Sequence, residues 1–395
     1  MNKADRWLLP DGIEELLPAD ARQLEAMRRR LVDQFRLWGY DYVIPPLVEF
    51  TDSLLTGSGQ DISLLTFKLT DQLSGKTMGI RADITPQVAR MDAHSQSHVG
   101  VNRLCYAGHV MHTRPKAQLS SRTPIQAGVE LFGELSLDAD IEVVSLLIAT
   151  LEAAGLSKQY LDLGHVGVYR AILKTVSFTA EQESTYLELI QSKALPDLKQ
   201  WLLDQNLGKQ QLQWLEMLPT LAGSVAVLEQ ARVIFESAPE ALHMALDELE
   251  ALAGVIGERY PSAQLYFDLS ELRGYNYHTG LVFGAFAPGV GNAIAGGGRY
   301  DCIGKAFGRS RPATGFAVDL TAINRLLGSV DTVSEGVFAA TSDNAQQWKE
   351  IQKLRAQGHR VVNGLSGQVK PYEYQLCNQQ LVEIESGFVL RPLAN

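Results

Sequence analysis

Paired segments of alternating apolar and polar residues are the feature that most restricts how this chain can fold. The stretch LTFKLTDQLSGKTMGIRAD alternates on both sides of Ser74 and Gly75, which together form a typical hairpin turn signal. A second pair, VNRLCYAGHVMH and IQAGVELFG, flanks a polar loop from about Thr113 to Pro124. Because strands joined by short turns run antiparallel, these pairs predict an antiparallel sheet.

Two amphipathic helices are predicted beside these strands. Apolar residues recur every three or four positions over residues 18–38, and Gly39 can end that helix in the left-handed conformation. A second helix is predicted over residues 138–155, with acidic residues in its first turn and a glycine at its end. Between the first helix and the hairpin, YDYVIPPLVEF predicts a strand that Pro45 and Pro46 halt, since proline cannot continue a sheet ladder.

A helix-rich segment interrupts the strands over residues 172–258. Within it, Thr179 with Gln182 and Ser237 with Glu240 have the residue types and spacing of capping boxes. Strand patterns return afterwards in AQLYFDLSEL, GLVFGAF and PATGFAVDLTAINRLL, the last of which passes from strand into helix. We therefore predict a helical insertion, after which the same sheet continues.

The chain is long enough for two or three domains, since it has 395 residues of which 46% are hydrophobic. The predicted fold class is α+β, an antiparallel sheet flanked by helices. The predicted domains are a main domain formed by residues 1–171 and 259–328, the helical insertion at 172–258, and a small C-terminal α/β domain at 329–395. Short strands and one helix over 345–357 are expected in the last of these.

The glycine run AGGGRYDCIGKAFG, residues 295–308, resembles a phosphate-binding loop only superficially. It lacks the G-x-x-x-x-G-K-[ST] pattern of a P-loop and the G-x-G-x-x-G pattern that opens a helix in dinucleotide-binding folds. Glycines within a strand also allow a neighbouring backbone or a ligand to approach closely. We expect that use here.

Charge, cysteine content and hydropathy exclude several classes of protein. A formal net charge of -10 works against nonspecific binding to nucleic acid. Cys105, Cys302 and Cys377 are too widely spaced for a disulfide framework or a zinc site, and we expect them to be buried free thiols. The opening MNKADRWLLPDGIEELLP has no signal-peptide apolar run, and we find no membrane-spanning apolar stretch, so a cytoplasmic protein without membrane contact is expected.

Polar residues within predicted strands mark a candidate ligand site, because burying such groups is costly unless they are paired or contact a ligand. IRADIT is predicted to place Arg81, Asp83 and Thr85 on one face of a strand, and IQAGVE supplies Gln126 and Glu130. Further candidates come from ELRGYNYH and from the end of the glycine run: Glu271, Arg273, Tyr275, Tyr277, His278, Arg299 and Asp301.

These residue types suit an α-amino acid as the ligand. The ammonium group of the amino acid would contact Asp83 and Glu130, and its carboxylate would accept hydrogen bonds from the guanidinium group of Arg273. The alternative is that these charges form structural ion pairs in the core of the sheet. The residue types alone leave both interpretations open.

No catalytic residue and no metal site are predicted. His109 and His112 lie beside Arg114 and Lys116 without a nearby carboxylate or cysteine, which favours a surface loop over a metal site. The sequence has no G-x-S-x-G motif for a serine nucleophile and no evident pairing of cysteine with histidine.

The order of these segments resembles histidyl-tRNA synthetase and its class II catalytic domain. WLLPDGIEELLP, the long helix and YVIPPLVEF resemble the opening of that family and motif 1, which forms much of the dimer interface there. IRADITPQVAR, YAGHVMHTRP and PIQAGVELFG resemble motif 2 and its strands, LRGYNYHTGLVF resembles the histidine-specific segment, and GGGRYDCIGKAFG with PATGFAVDL resembles motif 3. Over residues 7–327 the resemblance implies a class II synthetase-like fold and a dimer.

The resemblance further implies a histidine pocket at the matching positions of this sequence. These positions are Asp83, Thr85, Gln126, Glu130, Arg273 and Tyr277.

The same resemblance implies a degenerate ATP site. Met111 stands where motif 2 of a synthetase has the arginine that holds the α-phosphate of ATP, and Thr113 replaces the acid that follows it. Ala322 replaces the second nucleotide-binding arginine in motif 3, and Asp319 is expected to face the phosphates. Since losing one preorganised donor costs about 3 kcal/mol of transition-state stabilisation, the two losses predict a rate lower by a factor on the order of 10^4.

Taken together, these features resemble the family of regulatory subunits of short-form ATP phosphoribosyltransferase. After residue 330 the chain has six Lys or Arg against seven Asp or Glu, so no basic surface for tRNA is predicted there. The resemblance implies a noncatalytic dimer without a cofactor that assembles with catalytic subunits, as a hetero-octamer, at the first step of histidine biosynthesis. In that family L-histidine is the effector, and the catalytic subunit transfers the phosphoribosyl group of PRPP to ATP. A divergent histidyl-tRNA synthetase or related amino-acid-activating ligase and a tRNA-binding structural paralogue are the alternatives.

Overall fold

A computed structural model describes most of the chain as two compact units, residues 1–328 and 329–395. The described residues are 7–56, 60–95, 99–116, 120–272, 274–275, 277–328, 336–365 and 377–393. Within them, no helix is long and apolar enough to cross a membrane.

The first unit alternates helices with short strands. Its helices are α1 Pro18–Leu37, α2 Thr51–Leu54, α3 Gln60–Leu65, α4 Thr85–Arg90, α5 Leu137–Ala153, α6 Val166–Leu173, α7 Ala180–Gln191, α8 Leu195–Leu203, α9 Lys209–Met217, α10 Ala226–Ile234, α11 Glu240–Arg259 and α12 Leu320–Leu327. Its strands are β1 Asp41–Tyr42, β2 Val48–Phe50, β3 Phe67–Thr70, β4 Thr77–Ile80, β5 Asn102–His109, β6 Ile125–Phe132, β7 Tyr160–His165, β8 Ala222–Gly223, β9 Gln264–Asp268, β10 Leu281–Phe286, β11 Ala295–Arg299 and β12 Ala313–Asp319.

In the described part of this unit, nine of the strands form one large sheet in the order β1-β5-β6-β12-β11-β10-β7-β9-β8. All pairs from β5 through β7 are antiparallel, whereas β1 pairs with β5 and β7 pairs with β9 in parallel. A second sheet has the order β2-β4-β3, and its β3–β4 hairpin is the one predicted around Gly75. The predicted antiparallel strand pairs are therefore confirmed.

The segment YDYVIPPLVEF differs from the single strand that was predicted. It forms two short strands in different sheets, since β1 pairs with β5 and β2 pairs with β4. Pro45 and Pro46 lie between them. Neither proline has an N–H group to donate, so the chain leaves one sheet there and enters the other.

Helix α1 is confirmed, and its apolar stripe explains where it packs. Leu24, Met27, Leu31 and Phe35 are all buried in the core. Gly39 follows the helix with φ 86°, in the left-handed conformation that ends helices, and its N–H group donates to the carbonyl oxygen of Arg36 at 3.0 Å.

The main core lies on one side of the large sheet. Strand β6 points Ala127, Val129 and Leu131 into this core, where α1, α5 and α11 also bury their apolar faces. Because side chains alternate across a strand, Gln126, Gly128 and Glu130 lie on the other side of β6. A smaller cluster covers part of that second side, with Tyr106 of β5 and Val88 of α4 among its members. The functional candidates Gln126, Glu130 and Tyr277 lie on this second side.

The helix-rich segment after α6 contains α7 to α11 and adds the short strand β8 to the edge of the large sheet. The capping box at Thr179 and Gln182 is confirmed, with both reciprocal hydrogen bonds present. The box predicted at Ser237 and Glu240 is wrong, because Pro239 precedes the first residue of α11 and the hydroxyl of Ser237 instead accepts a hydrogen bond from Gln210. The domain limits 172–258 stay a prediction, since the apolar faces of these helices belong to the same core as the sheet.

The second unit is a small sheet with one helix. Its elements are β13 Gly336–Ala339, α13 Ala345–Ala356, β14 Val361–Asn363, β15 Cys377–Ile384 and β16 Gly387–Pro392. The described strands have the order β14-β13-β15-β16, with β13 parallel to both of its neighbours and β15 antiparallel to β16. Ile351 and Leu354 of α13 pack with Val337 of β13, which confirms the predicted helix and short strands.

Candidate functional site

The open side of the large sheet has a floor of small residues at its centre. Gly128 on β6 pairs with Ala317 on β12, Ala317 pairs with Gly296 on β11, and Gly296 pairs with Gly284 on β10. Residues paired across neighbouring strands point to the same face, so this row carries no bulky side chain. Glu130 follows Gly128 on the same face of β6. The Tyr106 side chain covers the row at Gly128, so the space for a ligand on the sheet lies toward Gly296, which is exposed.

The glycine run contributes to this floor and also to tight packing. A Cβ atom at Gly297 would overlap the carbonyl oxygen of Gly315 and come within 2.8 Å of the ring of Phe283. A Cβ atom at Gly296 would meet only the carbonyl oxygen of Phe283, at 3.5 Å. The expected close approach of a neighbouring backbone is therefore confirmed at Gly297, while a side chain at Gly296 would make only an ordinary contact.

Glu130 is the buried acid of the site, with only 1% of the residue exposed. Its Oε1 accepts a hydrogen bond from the Tyr106 hydroxyl at 3.1 Å, and its Oε2 accepts one from the Tyr300 hydroxyl. Burial raises the pKa of Glu130 to about 8, because desolvation disfavours the charged carboxylate. A ligand group that donates N–H bonds or carries positive charge would stabilise the ionised carboxylate.

Tyr106 and Tyr300 are site residues that the sequence prediction missed. Tyr106 lies opposite Gly128 in the pairing of β5 with β6, and a Cβ atom at Gly128 would lie 2.6 Å from the Tyr106 hydroxyl oxygen. Tyr300 directly follows β11. The sequence did contain a signal for Tyr106. The alternation of side chains along β5 places Tyr106 on one face of the sheet, and Gly128 on β6, which has no side chain, leaves room there for a large neighbour.

Asp83, Thr85 and Gln126 form a half-buried hydrogen-bonded group next to the buried acid. Asp83 Oδ1 accepts hydrogen bonds from Gln126 Nε2 at 3.0 Å and from the backbone N–H of Thr85 at 3.2 Å. The Thr85 hydroxyl lies 3.2 Å from the Tyr106 hydroxyl, which links this group to Glu130. An amino group bound between Asp83 and Glu130 would thus meet several acceptors at once.

The prediction that IRADIT is a strand is wrong. Strand β4 ends at Ile80, and Thr85 is the first residue of α4, so Arg81, Asp83 and Thr85 lie in a turn and a helix start. Thr85 followed by Pro86 was the missed signal, because proline in the first turn is typical of a helix N-terminus.

Tyr277 forms a wall of the site. Its ring stacks on the Tyr300 ring with the centroids 5.0 Å apart, and its hydroxyl is buried without a hydrogen-bond partner among the described residues. Desolvation raises the pKa of Tyr277 well above its ordinary value. The prediction that ELRGYNYH is a strand is wrong: its described residues, 271–272, 274–275 and 277–278, lie between β9 and β10 outside any strand, with Gly274 at φ 68°. Arg273, the predicted partner of the ligand carboxylate, lies outside the described residues.

Several other predicted candidates have structural contacts instead. The guanidinium group of Arg81 donates to the carbonyl oxygens of His109 and Pro45, both at 2.8 Å. Arg299 forms a buried ion pair with Asp140 at 2.5 Å and a longer one with Asp301 at 3.3 Å. For these residues the alternative interpretation, ion pairs and hydrogen bonds that hold the fold, is correct.

The remaining candidates lie in the loop before β10. The His278 ring packs edge-on against Tyr277 at 5.2 Å, and burial lowers the pKa of His278 to about 4. Tyr275 points toward α7, where its hydroxyl donates to Glu183 at 2.8 Å, and Glu271 is half-buried.

None of the positions predicted to form a degenerate ATP site has a basic side chain. Met111 is half-buried, and Ala322 packs against the main core. The Thr113 hydroxyl donates to the Leu64 carbonyl oxygen at 2.7 Å, so it is used within the fold. Asp319 caps α12 by accepting the backbone N–H of Ala322 at 2.9 Å, and the expectation that this acid faces phosphates stays a prediction.

His109 and His112 differ in how far they are buried. His109 is exposed as predicted, but His112 is 2% exposed and its Nε2 lies 2.9 Å from the Ala82 carbonyl oxygen, so its prediction as a surface residue is wrong.

The expected burial of the three thiols is correct only for Cys105, because Cys302 is exposed and Cys377 is partly exposed. Over the described ranges, no three His, Cys, Asp or Glu side chains are grouped to hold a metal ion.

A cleft also opens on the other side of β6. It is lined by Glu14, Leu16, His109, Ser121, Thr123, Ile125 and Thr321. Ile125 packs against the main core, so its side chain points to the face of β6 opposite Glu130.

Two family models match this chain. A model of histidyl-tRNA synthetase matches residues 12–323, and a model described as the ATP phosphoribosyltransferase subunit HisZ C-terminal domain matches residues 334–391. A protein of Teredinibacter turnerae is 62% identical over the full length of both chains and is named ATP phosphoribosyltransferase regulatory subunit. A protein of Saccharophagus degradans with the same name is 59% identical, again over 100% of both chains.

Solved structures agree with these matches. A Bacillus halodurans structure described as an ATP phosphoribosyltransferase regulatory subunit/histidyl-tRNA synthetase has a TM-score of 0.81 and 29% identity, covering 94% of this chain and 96% of the other. Histidyl-tRNA synthetase from a Nostoc species has a TM-score of 0.79 at 19% identity, covering 98% of this chain and 97% of the other, and so shows the fold alone. The predicted class II synthetase-like α+β fold is confirmed.

Proposed function

This chain belongs to the family of ATP phosphoribosyltransferase regulatory subunits, and on that premise we propose that it catalyses no reaction itself and makes a separate catalytic subunit responsive to L-histidine. The catalytic partner is a short-form ATP phosphoribosyltransferase subunit that transfers the phosphoribosyl group of PRPP to ATP. We further propose that the chain dimerises, forms a hetero-octamer with that subunit and works in the cytoplasm, without a cofactor, tRNA or membrane contact.

The observation that supports this proposal is the contrast between the positions that match the amino-acid site and those that match the nucleotide site of a synthetase. At one end Glu130 is buried under Tyr106 and Tyr300, ready for a ligand with N–H donors or a positive charge. At the other end the residues matching the phosphate-binding positions are Met111 and Ala322, which have no charge to offer. An amino acid can be recognised by such a site, whereas an ATP triphosphate loses its main contacts.

L-histidine fits the proposed pocket chemically. Its ammonium group and its imidazole ring both carry N–H groups, and the site offers the acceptors Asp83 and Glu130. In the proposed pocket Gln126 and Thr85 add polar contacts, Tyr277 supplies an aromatic wall, and Arg273 holds the carboxylate. Feedback inhibition then requires that histidine bind one state of the assembly better than another, with a coupling of about 1 to 3 kcal/mol.

Reconstitution with a catalytic subunit tests the proposal. The purified chain is mixed with a short-form catalytic subunit, and transfer of the phosphoribosyl group from PRPP to ATP is measured with and without L-histidine. We expect faster transfer in the mixture than with the catalytic subunit alone, and inhibition by histidine only in the mixture. Identical rates in all four conditions would refute a regulatory role.

A divergent histidyl-tRNA synthetase is the second candidate, because the synthetase family model covers residues 12–323. Histidine-dependent exchange between ATP and pyrophosphate separates the two functions. The regulatory function predicts exchange at background level, and robust exchange by the purified chain would favour the synthetase.

A further inference from the structure

The loop between β9 and β10 has two faces, one toward the ligand site and one toward the helical segment. Tyr277 belongs to the first face, since its ring stacks on Tyr300, whose hydroxyl donates to Glu130. Tyr275 belongs to the second face, two residues earlier in the chain. A shift of this short loop therefore moves both faces together.

Arg170 of α6 holds the loop through its backbone. Its Nη2 donates to the carbonyl oxygen of Tyr275 at 3.0 Å and to that of His278 at 2.7 Å, so one nitrogen ties together the two sides of the turn that contains Tyr277. The guanidinium group also lies over the Tyr275 ring, 5.1 Å from its centroid. Charged donors form stronger hydrogen bonds than neutral ones, which makes Arg170 a firm support for this turn.

Helix α7 holds the same loop through side chains. The Tyr275 hydroxyl donates to Glu183 at 2.8 Å, and the Tyr275 ring contacts the Tyr169 ring edge-on at 4.8 Å. Tyr169 in turn stacks on Tyr186 of α7, with centroids 5.8 Å apart. The contacts form a continuous chain from the ligand wall to the middle of α7.

The start of the loop has a third attachment. The Lys193 ammonium group, just after α7, donates to Asp268 and to Ser270, both at 2.7 Å. Lys193 has φ 54°, a left-handed conformation that is unfavourable for a residue with a side chain. The end of α7 is thus fixed to the last residue of β9 and to Ser270 in the loop.

We propose that Arg170 is a positioning residue that couples the ligand site to the helical segment: it holds the turn carrying Tyr277, so that a bound ligand changes the packing of α6 and α7. The inference rests on the proposed function, because the ligand is taken to be L-histidine. It gives the helical segment a role in regulation, as the element that senses occupancy of the pocket.

Substitution of Arg170 tests the coupling. In the full-length chain, Arg170→Gln leaves two loop carbonyls without their charged donor, and we expect the dissociation constant for L-histidine, measured by calorimetry, to rise roughly tenfold. Hydrogen exchange supplies a second measurement that a purely structural role would not change. In the wild type, histidine should slow amide exchange both in the 274–280 loop and in α7, whereas in Arg170→Gln the effect on α7 should be lost.

Arg232→Gln is the matched control. Arg232 of α10 bonds Asp247 and Glu250 of α11 within the same helical segment, away from the loop. We expect this variant to bind histidine as the wild type does, even if its unfolding temperature falls. Equal histidine affinity in Arg170→Gln and Arg232→Gln, with the α7 response intact, would overturn the inference while leaving the proposed function in place. Absence of histidine binding by the wild-type chain would instead remove both.

Tyr275→Phe keeps the inference testable if Arg170→Gln does not fold. It removes only the hydroxyl that bonds Glu183 and keeps the ring contacts. We expect a rise of about threefold in the dissociation constant and a weaker exchange response in α7. Wild-type behaviour in both measurements would count against coupling through this loop.

Discussion

The two ends of the site differ in how their polar groups are satisfied. At the positions proposed to be a degenerate nucleotide site, the Thr113 hydroxyl donates to the Leu64 carbonyl oxygen, and Asp319 caps α12. At the proposed amino-acid end, Glu130 is a buried carboxyl with a raised pKa that accepts hydrogen bonds from two tyrosine hydroxyls, whereas the buried Tyr277 hydroxyl has no partner among the described residues. Burial of a polar group is costly without a partner, so the Tyr277 hydroxyl supports the proposal that a ligand binds at this end.

The largest expected effect is at the buried acid. Glu130→Gln keeps the shape of the side chain but removes the carboxylate that would pair with the ligand, and we expect L-histidine affinity to fall about a hundredfold. Calorimetry on the purified chain measures this change, and histidine inhibition of the reconstituted complex should weaken in parallel.

Glu142→Gln is the control for this variant. Glu142 pairs with Arg103 on the helix side of the same sheet, where it cannot contact a ligand beside Glu130. If both variants lose histidine equally, or if Glu130→Gln binds as tightly as the wild type, the assignment of the amino-acid end is wrong.

The nucleotide end can be tested by restoring charge. The double variant Met111→Arg and Ala322→Arg returns two guanidinium groups to the matching positions, and we expect ATP to bind about tenfold more tightly than to the wild type. Calorimetric titration with ATP measures the gain. The Met111→Leu variant is the neutral control and should not change ATP binding. Tight ATP binding by the wild-type chain would erase the proposed difference between the two ends.

The smallest expected effect is the pH dependence of stability. The folded-state pKa of Glu130, about 8, lies above its ordinary value of 4.5, so between these values the folded chain binds more protons than the unfolded chain. Ionisation of the Glu130 carboxyl therefore lowers the free energy of unfolding as the pH rises from 4.5 to about 8. We expect the unfolding temperature to fall between pH 5 and pH 8 by roughly a few degrees more in the wild type than in Glu130→Gln.

Saturating L-histidine should reduce this slope, because a donor or cation beside Glu130 lowers its pKa. Identical pH profiles of the wild type and Glu130→Gln in the absence of histidine would show that this carboxyl is not the titrating group.

Local patterns predicted most of the elements. The stripe of α1 with Gly39, the β3–β4 hairpin and the capping box at Thr179 depend on neighbouring residues, and all three are confirmed. The strand predicted at IRADIT failed because period-two alternation also fits a turn that leads into a helix. The box predicted at Ser237 failed because the hydroxyl bonds Gln210, a residue remote in sequence.

The sequence by itself determined the antiparallel strands, the helix-rich segment and which residues at the two ends of the site carry charge, because these properties reside in residue type and short-range spacing. Only the tertiary structure decided that Tyr106 and Tyr300 enclose Glu130, that Arg299 serves an ion pair with Asp140, and that Arg170 supports the loop of Tyr277. These contacts join strands and helices far apart in the chain, and the burial that raises the pKa of Glu130 exists only after they have packed.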